Sequence, residues 1–157
     1  MTGLLRIFPR LSCNSRYVVP SLSSQFPRCS STDISLPPDI DFFELQKKLE
    51  ADEITLIDVR LPKERLEEGM IPKSKNIVLE ALGPIIMFPE EKFARRFGFK
   101  KPALDDPLVV SCLGGVRGRT AQLAMMGVGY KNVRLYVGSF EDWVEKGGPV
   151  VYPESNS

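Results

Sequence analysis

Histidine is absent from this chain of 157 residues. That removes the imidazole base on which a nucleophilic cysteine usually relies. Cysteine is scarce as well, with only Cys13, Cys29 and Cys112. Neither sign of charge is in excess: the formal charge of +1 predicts no strong attraction to nucleic acid or to an anionic membrane. No apolar stretch approaches the ~18 residues of a membrane span. Acids are missing from the first 32 residues, where four arginines stand and Asp33 is the first carboxylate. The remainder therefore carries a formal −3, with 20 acids against the other basic residues. One compact domain with a real core suits the length, and the composition is that of an ordinary globular protein.

The opening segment holds Arg6, Arg10, Arg16 and Arg28 among seven serines. Leu4, Leu5, Phe8 and Leu11 place apolar groups at helical spacing, interrupted by Pro9. Residues 1–35 are thus expected to be a mitochondrial transit peptide and linker, the alternative being a disordered basic tail. A secretory signal would need an uninterrupted apolar core that this segment lacks. Cys13 and Cys29 fall in it, so Cys112 is the only cysteine well inside the folded part. That part can hold neither an intradomain disulfide nor a Cys/His metal cluster. This suits a reducing compartment such as the mitochondrial matrix.

From about residue 36 the chain alternates strands and helices. Asp41 and Glu44 form a capping-box signature before Phe42, Phe43, Leu45 and Leu49. Residues 54–59 (ITLIDV) read as a strand, Pro62 opens a charged helix, and Gly69 ends it. Residues 76–78 predict a short strand, and 89–97 an amphipathic helix stopped at Gly98. Residues 107–111 (PLVVS) form a continuous apolar run, as in a strand covered on both faces. A helix over 116–126, a strand over 133–137 and a last helix follow. Ser139 and Asp142 form the capping box of that helix, and Gly147 closes it. Such alternation predicts an α/β layered domain with a mostly parallel central sheet. Residues 153–157 are a short tail.

The stretch CLGGVR, residues 112–117, sits where the buried strand gives way to a helix. Open α/β sheets place ligand sites at this end of their strands. Gly114 and Gly115 let the backbone turn sharply and direct N–H groups toward one point. A helix N-terminus and Arg117 add positive potential. Together these favour a thiolate at Cys112 without histidine. An isolated cysteine ending a strand is more often a small core residue; this context argues for a nucleophile instead. The loop is not a Walker phosphate loop, because Gly-Lys-Ser/Thr is missing. Nor does it match the phosphatase spacing of cysteine, five residues, arginine, which would put the arginine at Gly118. A shorter loop encloses a smaller anion.

Three separated segments extend the pattern. Ile57-Asp58-Val59-Arg60 with Glu64 leads into Glu68-Gly69-Met70-Ile71-Pro72-Lys73-Ser74; CLGGVR follows; Gly138-Ser139-Phe140-Glu141-Asp142-Trp143 precedes Gly147-Gly148-Pro149-Val150. In this order they resemble a single-domain rhodanese over residues 36–152. Gly98-Phe and Gly129-Tyr-Lys-Asn-Val-Arg-Leu-Tyr are similar to the form found in small eukaryotic thiosulfate–thiol sulfurtransferases. Met70 replaces the family's usual histidine and Lys73 its usual glycine, both in a segment the resemblance makes structural.

The resemblance implies a three-layer fold and a sulfurtransferase in which Cys112 carries a persulfide. The backbone of Leu113, Gly114, Gly115, Val116 and Arg117 and the Arg117 guanidinium would cradle it. The donor would be thiosulfate or a persulfide, and the acceptor a glutathione-like thiol or cyanide. No metal or organic cofactor is expected, and no nucleic-acid or membrane partner. Asp58 would hold the neighbouring loop, Arg60 would lie near it, and Arg119 would either draw anionic donors or face solvent. Trp143 is expected to be a packing anchor, and Arg95 and Arg96 a solvated helix face. Two other classes share the loop. A non-catalytic rhodanese-like interaction module is opposed by the presence of both Cys112 and Arg117. A phosphatase or arsenate reductase is opposed by the short loop and the lack of a second cysteine in the domain.

Overall fold

The computed structural model describes residues 35–153, so the expected targeting segment, Cys13, Cys29 and nearly all of the C-terminal tail lie outside the described residues. The element order is α1 (Phe42–Glu50), β1 (Thr55–Asp58), α2 (Pro62–Glu68), β2 (Lys75–Asn76), α3 (Leu79–Ile86), α4 (Glu90–Phe97), β3 (Leu108–Ser111), α5 (Val116–Gly127), β4 (Val133–Leu135) and α6 (Ser139–Glu145). The four strands form one parallel sheet in the order β2-β1-β3-β4. From β1 the chain crosses outward to β2, and β3 then enters on the other side of β1. The crevice at the carboxyl ends of β1 and β3 is therefore the topological switch point where α/β sheets bind ligands. Asp58 pairs in register with Ser111, the residue before Cys112.

Side-chain alternation splits the interior into two cores. Ile57, Leu108, Val110, Val133 and Leu135 face α3, α4 and α5, together with Cys112. Leu56 and Val109 face the other way, toward α1 and α6, with Ile40, Leu45, Tyr136, Phe140 and Trp143. This is the expected three-layer arrangement, and both middle strands are buried because helices cover each face. Trp143 is an anchor of the second core: it is almost wholly buried, and its indole N–H donates to the Pro149 carbonyl at 2.8 Å.

Several local expectations are corrected. Helix α3 was not anticipated from the sequence, and it contains Gly83 and Pro84, both poor helix formers. It forms because Leu82, Ile85 and Ile86 bury against the first core, and burial outweighs poor helix propensity. The Asp41 cap is made, with the Glu44 N–H donating to Asp41 Oδ1 at 2.9 Å. The reciprocal half of that capping box is not made, since the Glu44 carboxylate binds both terminal nitrogens of Arg134. Ser139 does not cap α6. Gly138 does, and Ser139 is the first helical residue, with φ of 55°. The strand expected at 76–78 instead spans Lys75–Asn76, and the one expected at 133–137 shortens to Val133–Leu135. Lys73 adopts φ of 62°, a left-handed conformation that suits the glycine usual there. Its ammonium bonds the Leu49 carbonyl at 2.9 Å and Asp52 at 2.7 Å, which offsets the backbone cost.

Candidate active site

The four residues of β3 are all buried, and the chain leaves the sheet at Cys112, itself only 2% exposed. Helix α6 fixes the start of the loop. The Cys112 N–H donates to Ser139 Oγ at 3.1 Å, and that hydroxyl donates to the Tyr136 carbonyl at 3.0 Å. In return the Phe140 and Glu141 N–H groups donate to the Cys112 and Leu113 carbonyls at 3.1 and 3.0 Å. These are first-turn donors of α6 that have no partner within their own helix. The loop thus gains three anchors from α6, through the Cys112 N–H and the Cys112 and Leu113 carbonyls.

Gly115 adopts φ of 96°, a region closed to most side-chain-bearing residues, and there it caps α5. This conformation aims its N–H at Cys112 Sγ, 3.0 Å away. The twelve-residue α5 begins at the next residue, so the positive end of its dipole lies beside the same sulfur. A hydrogen-bond donor and a helix terminus converging on one buried sulfur stabilise negative charge on it. This arrangement suits a thiolate or the anion of a persulfide.

Arg117 stands in the first turn of α5, and its guanidinium does not point freely into the loop. It pairs with Glu64 in bidentate fashion, Nη1 to Oε2 at 2.8 Å and Nη2 to Oε1 at 2.6 Å. Glu64 Oε2 also accepts the Leu61 N–H at 2.8 Å. Hydrogen bonding from Arg117, with a smaller contribution from Leu61, holds the Glu64 carboxyl at about 2 despite the opposing effect of partial burial. The Arg117 pKa is raised, chiefly by the same pair and further by the nearby Cys112 and Asp58.

Asp58 and Arg60 lie beneath this pair. Arg60 is fully buried, and its Nε and Nη2 bond the Asp58 carboxylate at 3.0–3.2 Å. Its remaining donors reach Glu68 and the Gly69 carbonyl, and the guanidinium lies 4.0 Å over the Phe140 ring. Arg65 approaches the same carboxylate at 3.4 Å. With each guanidinium nitrogen hydrogen-bonded, Arg60 is a brace under Phe140, whose N–H holds the Cys112 carbonyl. Arg119 points elsewhere, pairing with Asp39 and Gln122. Leu113 packs on the second core, while Val116 is 82% exposed at the loop's outer edge.

Residues missed from sequence are Ser139, Phe140 and Glu141 as loop anchors and Glu64 as the partner of Arg117. Glu64 had a visible signal, an acid in the first turn of the helix that Pro62 opens. Nothing local, however, links it to an arginine 53 positions away.

A parallel sheet with a cysteine cradled between its switch point and a helix N-terminus defines a class of small α/β proteins. The family model described as Rhodanese-like domain matches residues 42–146, and the chain belongs to that family. It is 37% identical over 103 residues to a Saccharomyces cerevisiae protein named Thiosulfate sulfurtransferase RDL2, mitochondrial, covering 66% of this chain and 68% of that one. It is 32% identical over 110 residues to the human Thiosulfate:glutathione sulfurtransferase, covering 69% of this chain and 95% of that one. Among solved structures, the human single-domain sulfurtransferase TSTD1 superposes with a TM-score of 0.68 at 31% identity, over 71% of this chain and 99% of that one.

Proposed function

We propose that this chain is a rhodanese-type sulfurtransferase in which Cys112 carries the transferred sulfur. The observation that carries this reading is the 3.0 Å contact from the Gly115 N–H to Cys112 Sγ at the start of α5. In the first half-reaction the Cys112 thiolate attacks the outer sulfur of thiosulfate. A new S–S bond forms to Sγ, the old sulfur–sulfur bond breaks, and sulfite leaves with its electron pair. The persulfide anion is then held by the loop N–H groups from Leu113 to Arg117, with Arg117, itself paired to Glu64, contributing positive charge nearby. In the second half-reaction an acceptor thiolate, or cyanide, bonds the terminal sulfur. The Cys112 thiolate is the leaving group, so donor and acceptor react in ping-pong order.

The names of two relatives support thiosulfate as donor and glutathione as acceptor. A persulfide donor is chemically equivalent, since it too presents an outer sulfur on a leaving group. The arginine-rich residues 1–35, acid-free up to Asp33, act as a mitochondrial targeting segment ahead of a working domain over 36–152, a reading that the mitochondrial relative supports.

Intact mass after incubation with thiosulfate tests the reading. Wild type should gain one sulfur atom, lose it again on adding glutathione, and Cys112→Ser should gain none while keeping its fold. A serine variant that turns over thiosulfate at the wild-type rate, or a wild type that never gains sulfur, would overturn it.

A further inference from the structure

Nothing in the active loop itself holds the Arg117 side chain still. Its stem is long and flexible, and the side chain is 33% exposed. Glu64 supplies the restraint from another element. That carboxylate is fixed before it meets Arg117: it stands in the first turn of α2 and accepts the Leu61 N–H at 2.8 Å. Helix α2 is in turn moored beside β1, through Arg65 to Asp58 at 3.4 Å and through Glu68 to Arg60 at 3.0 Å. Asp58 pairs in register with Ser111, the residue before Cys112. A frame of charged contacts therefore runs from the sheet beside the cysteine to the guanidinium at the far end of its loop.

The form of the pair leaves Arg117 able to bind something more. Its bonds to Glu64 use one N–H on each terminal nitrogen, and they are the only hydrogen bonds its guanidinium makes among the described residues. The Nε–H and the N–H beside it remain as a second fork on the side edge of the same plane. Such a fork grips two oxygens of one oxyanion.

We infer that Glu64 is a positioning residue for the donor half-reaction: by fixing the guanidinium plane it aims the second fork of Arg117 at the sulfonate oxygens of thiosulfate. The site is thereby selective for donors whose leaving group carries oxygens over alkyl persulfides. Both kinds of donor react by the same bond exchange at Cys112, and the fork distinguishes them by what leaves. With thiosulfate, the oxygens held by the fork belong to the group that departs with the electron pair as sulfite. The inference rests on sulfur transfer through Cys112 and concerns which donor that same site takes.

Three donors test it: thiosulfate; methanethiosulfonate, whose leaving sulfinate keeps two oxygens; and 2-hydroxyethyl persulfide, whose leaving thiolate has none on sulfur. The rate of sulfur gain is followed by intact mass in single turnover. Glu64→Gln should lose about ten- to hundredfold with the first two donors, the scale of a misplaced reacting group, and stay within about threefold of wild type with the persulfide. In an Arg117→Lys background, which lacks the second fork, adding Glu64→Gln should cost nothing further with thiosulfate. Glu64→Asp keeps the charge but is a methylene too short for the same fork, and it should show the same selective loss if the glutamine variant folds poorly. A merely structural role for Glu64 would slow all three donors together. A merely charge-cancelling role would speed thiosulfate, the most highly charged of the three, once the acid is gone. Either result overturns the inference. Failure of the sulfurtransferase reading looks different: wild type would then gain sulfur from none of the three.

Discussion

Replacing Glu64 by glutamine isolates the charge that holds Arg117. In the folded protein the Glu64 carboxyl titrates at about 2, against an ordinary value of 4.5. Acting in full, that gap is worth about 3 kcal/mol at neutral pH. Both partners are partly wet, with side-chain exposures of 22% for Glu64 and 33% for Arg117, so screening reduces the expected loss. A figure of about 1–2 kcal/mol is realistic, or roughly 4–8 °C in melting temperature for a domain of this size. The sign follows from the direction of the shift. A depressed carboxyl contributes its stability in full above pH 4.5 and loses it as pH falls toward 2. The glutamine does not titrate. Wild type and Glu64→Gln should therefore differ most at neutral pH, and by pH 3 the gap should shrink to about half or less. Urea unfolding of both proteins from pH 7 to the lowest pH at which each stays folded measures this. A gap constant across that range, or none at pH 7, would refute the claim that the Glu64 charge stabilises the fold through Arg117.

Arg117→Lys keeps the charge but replaces a planar fork with a point donor; kcat/KM for thiosulfate should fall by about one to three orders of magnitude, and turnover equal to wild type would reduce Arg117 to a partner for Glu64. Asp58→Ala leaves the fully buried Arg60 without its main counter-charge and should cost about 3–5 kcal/mol in urea unfolding; a loss below about 1 kcal/mol would mean that Glu68 and Gly69 suffice to hold it. Ser139→Ala strips the acceptor from the buried Cys112 N–H, which should cost about 1–3 kcal/mol and slow persulfide formation. If unfolding and single-turnover mass gain both matched wild type, that hydroxyl would not anchor the loop. Residues 1–36 fused to a reporter should carry it into mitochondria and be cleaved between about residues 24 and 36; a cytosolic, uncut reporter would contradict the targeting role.

What the sequence settled by itself is local. The apolar run at 107–111 ending in Cys-Leu-Gly-Gly-Val-Arg specifies a buried strand, a tight glycine turn and a helix start, because backbone conformation there depends on the residues present. The Asp41 cap and the Gly98 stop are legible for the same reason. The alternation of strands with helices was enough for an α/β layered domain, and three ordered motifs for the family. The sequence could not say which distant groups meet once the sheet assembles. The order β2-β1-β3-β4 brings α2 beside α5 and turns Arg117 onto Glu64, and it packs Arg60 under Phe140 while Arg119 turns away to Asp39. It converts Ser139 from an expected helix cap into the clasp on Cys112, and it makes a helix of Leu79–Ile86 despite Gly83 and Pro84. In each case long-range burial and charge pairing outweigh local preference, which runs from tenths of a kcal/mol for ordinary residues to about 1 for glycine and about 3 for an interior proline. Those contacts exist only after strands far apart in the chain have paired.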